Sequence, residues 1–217
     1  LAEFGTSLYS VQDEAAQLAC LKLEPKPGEK ILDACSAPGG KTTYIAELME
    51  NKGRVDAWDI HEHRVNLIKE YANRMKRDNI YPELKDAKVY DERLEKMFDG
   101  VLVDAPCSGL GVLNDNPDIK LNRTMEDVLS LINEQKQILN TVSKYVKVGG
   151  NLYYSTCSVL DCENIEIIKD FLKNHPEYQS EKLTSKVVYE ERGDAVAFLP
   201  DISGGLGFFV AKLKRVK

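Results

Sequence analysis

Cys107 and Cys157 are the residues whose surroundings most suggest covalent chemistry. Cys107 lies in Asp104-Ala105-Pro106-Cys107-Ser108-Gly109, and Cys157 in Tyr154-Ser155-Thr156-Cys157-Ser158. Each follows an apolar run short enough to be a buried strand, so each thiol falls on the loop after it. Ser158 and Asp161 have capping-box spacing for a helix over 159–174, which puts Cys157 just before a helix N-terminus that favours thiolate. Acids occupy matching places: Asp33 ends a first strand, Asp59 a second and Asp104 a fourth, and Asp86 follows a weak third. In a parallel sheet all these strand ends converge on one rim. Cys20 and Cys162 read as structural, and Cys35 as structural or pocket-lining.

Between the first strand and the next helix runs Cys35-Ser36-Ala37-Pro38-Gly39-Gly40-Lys41-Thr42. Gly39 and Gly40 lack a Cβ and admit a close ligand, and the helix behind them offers unpaired N–H groups. Three ligands compete for this turn. A phosphate-binding P-loop fits Gly40-Lys41-Thr42, but its first glycine would fall on Cys35. A dinucleotide fingerprint needs Gly-x-Gly-x-x-Gly, which is absent. The third is S-adenosylmethionine, with its amino-acid end on the turn. Asp59, about twenty residues on, is placed to hold ribose hydroxyls.

A thiolate beside a methyl donor has a specific use. C5 of cytosine is a poor nucleophile, but a thiolate added to C6 makes it enamine-like and able to attack a sulfonium methyl. A base must then take the C5 proton so that the thiol leaves. Asp104 is placed to hydrogen-bond the base edge at N3 or N4.

Positioning these groups requires strands alternating with helices. Ser10 caps a helix running to about Lys22, and Pro25, Pro27 and Gly28 turn the chain into a strand ending at Ile31-Leu32-Asp33. A helix follows the glycine turn. A strand over 54–60, a helix over 61–77 and strands over 80–84 and 100–104 come next. The stretch 114–125 reads as loop, 126–146 as helix stopped by Gly149-Gly150, 151–155 as a fifth strand and 159–174 as helix stopped by Pro176. Short strands are expected near Val187-Val188, over 195–199 and over 208–213. The order predicts an α/β, doubly wound, parallel sheet with antiparallel closure near the C-terminus.

The 217 residues suit one domain, and 43% hydrophobic with 29% charged residues suits a soluble globular protein. No apolar run approaches the roughly 20 residues of a membrane span. Five cysteines without Cys-x-x-Cys pairs argue against a disulfide framework or a zinc site, and for a reducing cytoplasm. A net charge of −6 does not advertise nucleic-acid binding. The start at Leu1, on a loop and without methionine, predicts a piece of a longer protein.

Three stretches together resemble the RNA cytosine-C5 methyltransferases of the Sun/NOL/NSUN superfamily: Asp33 to Thr42, Asp104 to Gly109 and Tyr154 to Ser158. Val11 to Gln17 resembles the leading motif and Gly207 to Lys212 the last. Asn116 to Lys120 and Cys157 to Leu160 are similar to the bacterial Sun or Fmu branch, which implies the cytosine at position 967 of 16S ribosomal RNA. The resemblance implies a Rossmann-like methyltransferase fold with a mostly parallel seven-stranded sheet. It makes Cys157 the nucleophile and Cys107 the group that helps release product. It assigns S-adenosylmethionine to Cys35, Ser36, Ala37, Pro38, Gly39, Gly40, Lys41, Asp59, Arg64, Asp86 and Asp104, with no metal. It also implies RNA as partner and a separate N-terminal helical RNA-binding domain outside residues 1–217, which would form the catalytic domain alone. Leu121 stands where this branch usually has Trp, and His61 where an acid is common. Two rival functions are a P-loop nucleotidase, which leaves both cysteines unexplained, and a noncatalytic RNA-binding module on the same fold.

Overall fold

The computed structural model describes residues 9–217; the expected loop at Leu1 lies outside them. Helix α1 (Glu14–Leu23) precedes strand β1 (Lys30–Asp33), α2 (Gly40–Leu48), β2 (Arg54–Asp59), α3 (Glu62–Arg74), β3 (Ile80–Leu84) and β4 (Phe98–Asp104). Then come α4 (Ile119–Asn122), α5 (Met125–Val142), β5 (Val146–Thr156), α6 (Ile165–Asn174), β6 (Tyr178–Glu181), β7 (Glu190–Arg192), β8 (Ala195–Phe198), α7 (Pro200–Ser203) and β9 (Phe208–Arg215).

Among the described residues nine strands form one sheet: eight follow the order β3-β2-β1-β4-β5-β9-β8-β7, and β6 lies off this path, paired with β9. β1 to β5 are parallel and β9 is antiparallel to β5. β6 pairs with 212–215 of β9 and β8 with 208–210, so these two short strands share one rank. The expected seven strands therefore become nine, because the seventh rank is split and β7 adds a short antiparallel edge.

β4 shows why the sheet is buried on both faces. Val101 and Val103 enter a core with Ile138 and Leu139 of α5 and Ile167 of α6. Leu102, between them, enters the opposite core with Ile45 of α2, Ile68 of α3 and Leu23 of α1. Period-two alternation thus feeds two helical layers, each fully buried side chain contributing about 1.5–3 kcal/mol. The chain runs outward from β1 to β3 and then jumps back to β4 on the other side of β1. That reversal opens a crevice at the carboxyl ends of β1 and β4.

Several local expectations are corrected. α5 ends at Val142, and Gly149 (φ +82°) lies inside β5, where the pairing jumps from Phe98–Val146 to Gly100–Asn151. The glycine pair makes a bulge rather than a helix stop. The 114–125 stretch contains α4, and a capping box opens α5 where Thr124 N donates to Asp127 Oδ2 (2.8 Å) and Asp127 N to Thr124 Oγ1 (3.2 Å). α6 starts at Ile165, after a single turn over 161–163, because the Ser158 hydroxyl binds the Glu163 carboxylate instead of capping a helix. The short strand expected near Val187-Val188 begins two residues later, as β7 at Glu190–Arg192.

Candidate active site

The crevice between β1 and β4 holds a cavity of about 340 Å³ lined by Cys35, Ala37, Asp59, Arg64, Asp86, Asp104, Cys107 and Cys157, among others. A neighbouring cavity of about 250 Å³ is lined by Cys35, Ser36, Ala37, Pro38, Gly40, Lys41 and Asp104. The strand-end residues therefore do converge on one rim. Cys35, Ala37 and Asp104 border both spaces.

The glycine turn works differently from its sequence reading. Gly39 (φ +112°) borders neither cavity; a Cβ there would lie 3.3 Å from the Ile68 backbone, so this glycine lets α3 pack close. Gly40 has open space, with only Gln12 Nε2 at 3.9 Å. Gly39 gives α2 no side-chain cap, which leaves the first N–H groups of that helix without one. The Ser36 hydroxyl faces inward, donating to Asp33 O (3.0 Å) and Trp58 O (2.9 Å). Asp33 itself is buried and accepts from Thr42 Oγ1 (2.7 Å). Burial pushes its carboxyl up to about 7.

Asp59, at the end of β2, accepts from His61 N at Oδ1 (3.0 Å) and has Arg64 Nη1 3.4 Å from Oδ2. Arg64 Nη2 donates to Ala37 O (3.2 Å), so one guanidinium joins α3, the glycine turn and the β2 acid. Asp86 accepts from Lys88 N (2.8 Å), and Lys88 Nζ reaches Glu134 Oε1 (2.9 Å).

Asp104 is held from two sides. Lys41 Nζ donates to Oδ2 (2.7 Å) and Ser155 Oγ to Oδ1 (2.7 Å). Lys41 is thus committed to a carboxylate at the start of α2. Its ammonium also stands 5.2 Å from the centre of the Phe208 ring.

The Cys107 and Cys157 sulfurs lie 3.1 Å apart. This is well beyond the roughly 2.05 Å of a disulfide, and both are free thiols. Their acidities are driven apart. The hydrogen bond with Cys107 holds Cys157 below the ordinary thiol range against the opposing effect of burial, and the Lys41 charge helps. The same hydrogen bond and burial push Cys107 well above it. So of the two thiols Cys157 is the more readily ionised, with the Cys107 sulfur beside it as its hydrogen-bond partner. This replaces the expected helix-dipole origin, since α6 begins eight residues after Cys157. Burial raises Cys35 and Cys20, which fits wall and core positions.

Sequence reasoning missed Glu134 and Ile138, which bring α5 to the main cavity, and Glu163 behind the thiols. The apolar periodicity of α5 carried the signal for Ile138. Nothing local marked the two glutamates. Among the described residues no group of three His, Cys, Asp or Glu side chains is arranged to hold a metal, and no helix is long and apolar enough to cross a membrane.

Residues 20–214 match the sequence profile of the family described as 16S rRNA methyltransferase RsmB/F. The probable ribosomal RNA small subunit methyltransferase B of Bacillus subtilis (strain 168) is 42% identical over 98% of this chain and 49% of its own length. The chain spans about half the length of the curated relatives it matches. The crystal structure of PH0851 superposes with a TM-score of 0.95 at 35% identity, covering 99% of this chain and 49% of the other. NSun6 from Pyrococcus horikoshii, crystallised with SFG, superposes with a TM-score of 0.88 at 31% identity, covering 100% of this chain and 56% of the other.

Proposed function

Because the chain belongs to the 16S rRNA methyltransferase RsmB/F family, we propose that it methylates C5 of a cytosine in RNA through a covalent adduct on Cys157. We propose S-adenosylmethionine as methyl donor and 16S ribosomal RNA, at the position-967 cytosine, as substrate, in a reducing cytoplasm that keeps the thiols free. The observation that carries the reading is the 3.1 Å contact of the Cys157 and Cys107 sulfurs, lining one cavity with the Asp104 that Lys41 holds.

The residues present fit that cofactor. Among the described residues Asp59 Oδ2 has only the 3.4 Å Arg64 contact, and it suits a ribose diol. The uncapped start of α2, bordering the smaller cavity at Gly40 and Lys41, suits the amino-acid end. Asp104 borders both cavities and suits a neighbouring cationic sulfur. The SFG held by the NSun6 relative agrees with such a ligand. When bound, S-adenosylmethionine supplies an electrophilic methyl group.

The protein residues do the rest. The Cys157 thiolate adds to C6, forming S–C6 and moving the C5–C6 π electrons toward N3, so that C5 becomes nucleophilic. Asp104, fixed by Lys41 and Ser155, keeps lone pairs to accept from the N4 amino group and orients the ring. Once C5 carries the methyl group, its proton must go to a base. The C5–H electron pair then becomes the C5–C6 double bond as S–C6 breaks, and the S–C6 pair leaves on Cys157 as thiolate. Cys107, once its own S–H proton has passed to water, accepts the C5 proton, directly or through water. Its acidity is suppressed first by the hydrogen bond to Cys157 and also by the Cys157 charge. Both influences weaken when Cys157 is bonded to carbon, while the effect of burial stays, so adduct formation eases the ionisation of Cys107.

A P-loop reading fares worse, because Lys41 is bound to Asp104 and Cys35 occupies the place of the first loop glycine. The test is tritiated-methyl transfer from S-adenosylmethionine to unmodified 16S RNA with the modified position mapped. Label on C5 of a single cytosine is expected. Label on another base or atom, or none with the full-length protein, would overturn the proposal.

A further inference from the structure

We propose that Glu163 is a positioning residue for the thiol pair: its carboxylate clamps the loop after β4 to the loop after β5 and thereby sets where the two sulfurs lie. This rests on the covalent reading above. Ser108 and Ser158 are the residues immediately after Cys107 and Cys157, and Glu163 binds both. Its Oε1 accepts from Ser108 N (2.8 Å) and Gln135 Nε2 (3.0 Å), and its Oε2 from the hydroxyls of Ser108 and Ser158 (2.5 Å each). The side chain is 0% exposed.

All four donors are neutral. A carboxylate buried without a cation is costly, and a full set of hydrogen bonds offsets that cost only while the donors stay in place. Such a group adds little net stability compared with apolar packing, but it defines one geometry. The surrounding bonds extend the clamp. Gln135 Nε2 also donates to Pro106 O (2.9 Å), the carbonyl just before Cys107. Tyr154 OH donates to Glu163 O (2.7 Å), and Asn164 Nδ2 to Ser158 O (2.9 Å). Gly111 N donates to Cys157 O (2.9 Å), a direct backbone tie between the two loops. Glu163 touches neither sulfur and borders neither cavity, so its influence runs through the serines.

Charge and position have opposite signatures here. Removing a buried negative charge would by itself make nearby thiols more acidic. Releasing the clamp separates the sulfurs, deprives Cys157 of the Cys107 S–H and makes it less acidic. The test uses Glu163→Gln, whose amide oxygen keeps the Ser108 N–H bond while serine hydroxyls rotate to accept from its NH2. Four quantities are measured: melting temperature, S-adenosylmethionine affinity, methyl transfer to RNA, and the pH dependence of Cys157 alkylation by iodoacetamide, located by peptide mass spectrometry. Cofactor affinity within about twofold of wild type is expected, with kcat reduced about 100-fold, the scale of an ångström-sized misplacement, and the Cys157 titration moved upward. Ser158→Ala, which removes one of the four donors to Glu163 together with the acceptor of Leu160 N, should move kcat and the titration the same way by less, and decides the matter if the glutamine variant does not fold. Wild-type kcat in the folded variants, a lost kcat with an unmoved titration, or a titration moved downward would each overturn the clamp. Cys157→Ala runs alongside: if it still methylates RNA, the covalent reading has failed; if it is dead while Glu163→Gln is fully active, only the clamp has.

Discussion

Asp59 and Asp33 are both buried acids at strand ends, yet they should respond differently to mutation. Asp59 faces the main cavity with one carboxylate oxygen lightly engaged. Asp59→Ala is expected to weaken S-adenosylmethionine binding by about 1–3 kcal/mol, the scale of a lost polar partner, as read by calorimetry. Unchanged affinity would remove Asp59 from the ribose assignment. Asp33 lies against Thr42, and its carboxyl sits near 7 instead of 3.8. The folded state thus holds this proton more tightly than the unfolded chain. Stability from this group is present below its ordinary value, lost as pH rises toward 7, and flat beyond. Asp33→Asn keeps an acceptor for the Thr42 hydroxyl and cannot ionise. Its melting temperature should gain on wild type between about pH 4 and pH 8, by the equivalent of roughly 2–4 kcal/mol. A gap that does not change with pH would contradict this.

At the scale of elements, the loops after β4 and β5 decide the site's geometry, and glycine lets them touch. A Cβ on Gly111 would fall 2.3 Å from Gly207 O and 2.8 Å from Cys157 O, whereas one on Gly205 meets nothing within 4 Å. Gly111→Ala is expected to cost about 1–3 kcal/mol in chemical denaturation and to depress methyl transfer further by pushing the cysteine loop away. Gly205→Ala should match wild type in both; equal behaviour of the two variants would contradict the close approach. The convergence of acids and cysteines was legible in the sequence because runs such as Val101-Leu102-Val103 mark buried parallel strands, whose ends must meet. What stayed hidden depended on partners distant in sequence. Ser158-x-x-Asp161 and Thr124-x-x-Asp127 share one local capping pattern, but only Thr124 caps a helix, because the Ser158 hydroxyl meets Glu163. Gly149-Gly150 punctuates a strand as readily as a helix. Glu163 becomes meaningful only when Ser108, 55 residues away, comes beside it.

For the molecule as a whole, a net charge of −6 sets the expectation for RNA. Binding by this chain should be weak and fall steeply with added salt, since the attraction must come from local cations releasing counterions. A chain extended to the full length of the relatives should bind more tightly; equal affinity and equal salt slopes would contradict that division of labour. The central claim, that Cys157 attacks and Cys107 releases, has one direct measurement: protein–RNA species surviving denaturing electrophoresis after incubation with S-adenosylmethionine and substrate RNA. Cys107→Ala should still attack and accept the methyl group but stall at release, so the adduct accumulates. Cys157→Ala should give neither adduct nor methylated RNA. Adduct in Cys157→Ala and none in Cys107→Ala would reverse the roles, and full activity of both variants without adduct would refute covalent catalysis by this pair.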